Sequence, residues 1–159
     1  MISSIKADYK KGLFRILPIA IILAVLSISC SVSWVAEYNA SIAQQIEVVA
    51  KKMDKFYLTM QETTTEESQQ RVYSRFTEQY IDIEVELKNL LAKNKHRDKN
   101  KESITINETV LNKWLEYKNI HKEKDSLKDS EIKLNLMNLQ NLMNSLRVAE
   151  AAKSRKNSS

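Results

Sequence analysis

IAQQIEVVAKKMDKFYLTM, residues 42–60, is the stretch whose reading decides the fold. Its apolar residues Ile42, Ile46, Val49, Met53, Phe56 and Met60 are spaced 4, 3, 4, 3 and 4, the periodicity of one buried helical stripe. The same spacing recurs downstream in Tyr73, Phe76, Tyr80, Ile83, Leu87 and Leu90, and again in Ile132, Leu136, Leu139, Met143 and Leu146. A fourth stripe passes through Val110, Trp114, Tyr117 and His121. Gly12 is the only glycine and Pro18 the only proline. Hairpin sheets, phosphate-cradling loops and dinucleotide folds need glycine where the backbone takes positive φ or approaches a ligand, so the fold class is all-α.

Capping boxes and charge runs divide the stripes into elements. Thr63 with Glu66 and Thr64 with Glu67 have capping-box spacing and predict the start of a second helix. Lys93–Ser103 (KNKHRDKNKES) has no apolar residue and predicts a loop, whose Lys95, Arg97, Lys99 and Lys101 read either as the solvated tip of a bundle or as a basic contact surface for an anionic partner. Thr105 with Glu108 predicts the opening of a third helix, and Ser126 to Ser130 a turn before the last. Four amphipathic helices with short connections read as an antiparallel up-down bundle. A dimeric coiled coil is the alternative, because narrow stripes also suit pairing between chains.

Upstream, residues 16–36 (ILPIAIILAVLSISCSVSWVA) carry no charge and follow Lys6, Lys10, Lys11 and Arg15. At about 1.5 Å per residue that run covers the roughly 30 Å of a bilayer core. Ile16, Ile22, Leu26 and Trp34 are its anchor residues, and no Lys or Arg follows until Lys51. The charge asymmetry predicts a cytoplasmic N-terminus and a domain on the periplasmic or extracellular side of a bacterial inner membrane. The organisation is then a basic cytoplasmic segment over 1–15, a span over 16–36, a helical bundle over 37–152 and a disordered tail over 153–159. Extended backward, the first stripe passes through Asn39, Val35 and Val32, which predicts that the span continues unbroken into the bundle. Two processing patterns share these ingredients. Ser29 and Ser31 are small enough for signal-peptide cleavage, but the apolar run continues past them through Trp34; Cys30 invites lipidation, but Ser27 stands where that motif has an aliphatic residue.

The formal charge of +5 does not point to nucleic acid. From Glu37 onward there are 21 basic and 19 acidic residues, distributed as 6 and 10 over residues 37–92 and as 15 and 9 over 93–159. The two halves are expected to attract each other. Cys30 is the only cysteine, and neither His96 nor His121 has a partner at metal-motif spacing. No catalytic, metal or cofactor residue is assigned, and the expectation is a binding protein rather than an enzyme. Asp82, Glu84 and Glu86 read as a solvated face. Trp114, Tyr117 and His121 are the candidate pocket or partner residues, because their shared stripe suits either a small-ligand pocket or ordinary core.

From Glu37 onward, the layout with Trp114-Leu115-Glu116-Tyr117 on the third helix resembles the four-helix-bundle sensor domain found outside the membrane in bacterial chemoreceptors. That resemblance implies a ligand-sensing bundle, although the second span and cytoplasmic part of that family are missing from this sequence. A single span followed by a charged helical region also resembles the inner-membrane subunit of phage spanins, and an immunity, exclusion or assembly factor needs no more than an anchor and a helical face. The expected function is binding of a protein partner, which a second copy of the chain could also supply, with ligand sensing or a spanin-like, immunity or exclusion role as the alternatives.

Overall fold

Asn39 caps the first helix instead of passing through it. In the computed structural model, which describes residues 35–68 and 70–156, its backbone is extended (φ −131°, ψ 110°) and its Oδ1 accepts the Ile42 N–H at 3.1 Å. Helix α1 therefore starts at Ala40 and runs to Thr63, and Val35–Asn39 are not helical. This corrects the expected continuous rod. A short Asn side chain that satisfies an orphan N–H starts a helix, whatever apolar spacing runs across it. The span assigned to residues 16–36, with Ile16, Ile22, Leu26 and Trp34, lies outside the described residues except for Val35 and Ala36. Among the described residues no helix is long and apolar enough to cross a membrane.

After α1 the chain forms one 3₁₀ turn, Tyr73–Phe76, then α2 (Thr77–Lys95), α3 (Lys101–Lys124) and α4 (Asp129–Lys156). Helix α1 packs against α2 and α4, and α3 packs against the same two, so the helices alternate in direction around a square. All six residues of the α1 stripe are buried, together with Tyr80, Ile83, Leu87 and Leu90 of α2, Val110 and Trp114 of α3, and Ile132, Leu139, Met143 and Leu146 of α4. These stripes are satisfied within a single chain, which is the bundle rather than the coiled-coil alternative.

Three boundaries differ from the sequence reading. The capping boxes at Thr63 and Thr64 start no helix. Thr65 and Ser68 bond each other through their hydroxyls and amides, residues 64–68 and 70–72 are not helical, and Arg71 reaches into the interior from there. The basic loop is shorter than the run of polar residues. Lys93 and Lys95 complete α2, Lys101 opens α3, and only residues 96–100 connect them. Finally, α4 continues to Lys156 through the beginning of the expected tail, because Lys153 is buried and bonded there. Residues 157–159 lie outside the described residues.

Candidate functional sites

Trp114, Tyr117 and His121 come together as predicted, but as enclosed core. Trp114 lies among Phe56, Tyr57 and Tyr80 with ring centroids 5.1–6.2 Å apart, and its indole N–H donates to the Tyr80 carbonyl at 3.2 Å. Edge-to-face and tilted geometries of this kind add to the area the rings bury. Tyr117 accepts a hydrogen bond from Asn138 of α4 at 2.9 Å. His121 bridges two elements: its Nε2 lies 2.7 Å from the Arg71 carbonyl and its Nδ1 3.0 Å from the Tyr80 hydroxyl. A carbonyl only accepts, so Nε2 carries the proton and Nδ1 accepts from Tyr80. Burial lowers the His121 pKa, opposed by its bond to Arg71, and keeps the ring neutral; burial likewise pushes the Tyr57 and Tyr80 hydroxyls far above their ordinary range. With all three residues buried, the stripe offers packing and rigidity, not a surface for a partner.

Arg71, which the sequence did not single out, ties two connections together at this end of the bundle. Its side chain is 1% exposed. Nε and one terminal nitrogen donate to the Thr64 hydroxyl and carbonyl at 2.8 Å, and the other donates to the Leu127 carbonyl at 3.1 Å and pairs with Asp129 at 2.6 Å. Only a planar fork with several N–H groups can satisfy acceptors in both loops at once. Asp125, at φ 48°, ends α3 in the left-handed region and accepts the Tyr73 N–H at 2.8 Å.

A second buried polar site lies at the opposite end, where α1 begins, α2 meets α3, and α4 finishes. Glu150 accepts from Arg97 through both carboxylate oxygens (2.9 and 3.2 Å), from Lys153 (2.6 Å) and from the Asn39 N–H (2.8 Å). Burial alone would raise the Glu150 pKa, but these donors outweigh it and hold the carboxyl below the ordinary range. Lys153 also donates to Asn100 (2.6 Å) and Ser103 (2.8 Å), while burial pushes its ammonium below the ordinary lysine range. Asn100 in turn donates to Asn94, and Asn94 to Asn107. Arg97 reaches back to the Glu37 carbonyl, and the Ala36 N–H donates to the Lys99 carbonyl at 3.1 Å. These bonds fasten Val35–Asn39 to the α2–α3 connection and to α4.

The predicted basic residues therefore have different roles. Arg97 is a half-buried structural clamp, Lys95 pairs with Glu108 at 2.8 Å, and Lys99 and Lys101 are exposed at the turn and at the first residue of α3. Asp82, Glu84 and Glu86 lie on a partly solvated face as expected, but they pair across helices: Lys52 of α1 holds Asp82 and Glu86, and Lys118 of α3 holds Glu84 at 2.8 Å. Arg147 pairs with Glu47 at 2.6 Å, one of the contacts through which the basic and acidic halves attract. No cluster of three or more metal-binding side chains occurs among the described residues.

One surface differs from the rest in composition. From Leu134 to Ala152 every exposed position of α4 is uncharged, with Leu134, Met137 and Val148 exposed by 53%, 52% and 60%. They fall on one outward seam, Leu134, Met137, Asn141, Asn144, Val148 and Ala151, spaced 3, 4, 3, 4 and 3. The exposed faces of α1, α2 and α3 each carry both lysines and acids. The uncharged run LNLMNLQNLMNSL (134–146) is visible in the sequence, but its inner and outer stripes overlap there and only the fold separates them. Separately, Phe56, Phe76 and Ile83 floor a groove of about 340 Å³ between α1 and α2, rimmed by Lys52, Gln79 and Asp82.

No protein-family model matches this chain, and no curated protein or solved structure does.

Proposed function

We propose that this protein is a single-pass membrane protein whose helical bundle holds a protein partner against the outward face of α4. In this reading residues 16–36 are the span, residues 1–15 are cytoplasmic, and the bundle stands on the periplasmic side. The observation that carries the partner reading is the charge-free outward seam of α4, roughly 26 Å long at 1.5 Å per residue. Charge depletion with exposed methionine and aliphatic side chains is the compositional mark of an interface centre. A solvated bundle face ordinarily alternates lysine and glutamate, as the other three helices do.

Ligand sensing is the second reading, favoured by the groove between α1 and α2, whose apolar floor and ionised rim suit a small amphiphilic molecule. A spanin-like role has less support, because antiparallel folding gives up the reach that an extended chain would have.

Site-specific photo-crosslinking in intact cells tests the first reading. A photoreactive residue at Met137 or Val148 is expected to give discrete protein adducts that the same residue at Asn112, on the outward face of α3, does not. Equal adduct patterns at all three positions would sink the proposal, and an adduct with a second copy of the chain would identify the partner as itself.

A further inference from the structure

The outward seam of α4 is its own complement. Its positions, Leu134, Met137, Asn141, Asn144, Val148 and Ala151, are symmetric about a midpoint between Leu142 and Met143. Turned end over end about that midpoint, a second seam sets Leu134 level with Ala151, Met137 with Val148, and Asn141 with Asn144. Each outer layer then joins a longer side chain to a shorter one, so the two helices keep one separation along the whole seam. The central layers join amides, which donate and accept and so satisfy each other. A parallel pair would instead set Leu134 on Leu134 at one end and Ala151 on Ala151 at the other, leaving the alanine end loosely packed. The surface beside the seam has the same asymmetry. The half from Asn144 to Ala152 stands between two grooves of about 440 Å³ each, one against α3 over Ile106, Val148 and Ala149, the other against α1 beside Tyr38, Ala43 and Ala151. The half from Leu134 to Gln140 borders neither groove and carries Leu134 and Met137, each about half exposed. One half of the face projects and the other half receives.

We propose that the partner held on this face is a second copy of the chain, bound through an antiparallel contact between the two α4 helices with a twofold axis at that midpoint. The inference rests on the reading of α4 as the partner surface and does not depend on residues 16–36. A twofold contact uses the same patch on both copies, so every feature is met twice. Leu134 and Met137 of either copy lie over Val148 and Ala151 of the other, between its two grooves. From Leu134 to Ala152 no exposed position of α4 is charged, so pairing along the seam strips water from no exposed carboxylate or ammonium. Asn141 and Asn144 fix the register, as a polar residue does in an otherwise apolar seam.

The test uses the full chain with Cys30→Ser in mild detergent, in two versions that carry tags of different size. When Met137→Cys chain is mixed with Val148→Cys chain and gently oxidised, a disulfide between unlike chains is expected. Either chain alone is expected to give about tenfold less, because the two copies of residue 137, like those of residue 148, lie roughly 16.5 Å apart along the helix axis. Met137→Glu or Val148→Lys, each of which sets a charge against an apolar side chain, is expected to raise the dimer dissociation constant about tenfold or more in sedimentation equilibrium. Mixing those two variants is expected to yield unlike-chain dimers in excess over like-chain ones, a gain that misfolding cannot produce. Disulfides that form in Met137→Cys chain alone as readily as in the mixture overturn the antiparallel contact. A chain that sediments as a monomer and gives no disulfide in the mixture overturns self-pairing. If that chain still gives photo-adducts with another protein from Met137 in cells, the α4 surface stands and only self-pairing falls; with no such adduct, both fall.

Discussion

Replacing Arg71 by methionine is expected to destabilise the bundle by about 2–4 kcal/mol. The guanidinium is buried, and its removal leaves the Thr64 and Leu127 carbonyls without a donor. Each orphaned buried acceptor costs roughly 1–3 kcal/mol. The Thr64 hydroxyl adds little to that loss, because it still donates to the Met60 carbonyl at 2.5 Å. Relief of the cost of burying a cation, and the packing of the methionine side chain, offset part of the total. Asp129 is 55% exposed, so its carboxylate returns to water when Arg71 is lost, and Asp129→Asn should cost less than about 1 kcal/mol. Arg71→Lys keeps the charge but not the fork, and should fall between the two. Urea unfolding of the full chain in mild detergent, followed by far-UV circular dichroism, measures all three, and for a domain of this size the methionine variant should melt roughly 10 °C lower. The reasoning is refuted if Arg71→Met costs less than about 0.5 kcal/mol, or if Asp129→Asn costs as much as Arg71→Met.

Trp114→Ala should cost about 3–5 kcal/mol and Trp114→Phe distinctly less, since phenylalanine keeps ring contacts with Phe56 and Tyr80 and loses the bond to the Tyr80 carbonyl; equal losses by calorimetry would contradict the packing described. For His121 the sign follows from its lowered folded pKa: the unfolded chain protonates first, so stability is full above the unfolded value near 6.5 and declines as pH falls below it, by at most about 1.4 kcal/mol per pH unit. His121→Asn should flatten that slope between about pH 7 and 5, whatever it does to absolute stability, and an unchanged slope would refute the assignment. Glu47, Glu84 and Glu131, whose hydrogen bonds to Arg147, Lys118 and Lys124 lower their pKa values, contribute in a separate window below about 4.5 and leave the His121 slope distinct.

The helices were legible because each is written as a 3–4 repeat of apolar residues, and burial follows that repeat almost residue by residue from Ile42 to Met60. Helix ends were less legible. Capping signals are local and plentiful in a chain rich in Thr, Ser, Asn and Glu, and which one is used depends on what the backbone meets next. The Thr63–Glu67 boxes lost to a loop that delivers Arg71 to two buried carbonyls, while Asn39, read as a seam position, became the true cap. Arg71, Glu150 and Lys153 were missed for a related reason. A charged residue in a polar stretch carries no mark of burial, because the partners that enclose each of these three include residues 50 to 111 positions away in the chain.

By itself, then, the sequence determined an all-helical chain, the four stripes that make a bundle, and a charge-free apolar run before them, because periodicity and composition are properties of neighbouring residues. Only the tertiary structure decided that Trp114, Tyr117 and His121 are enclosed core, that the outward seam of α4 is the surface left without charge, and that Arg97 and Lys153, from segments far apart in the chain, meet on Glu150 at one end. Those outcomes depend on which helix lies beside which, and antiparallel packing sets that at a distance no local pattern records.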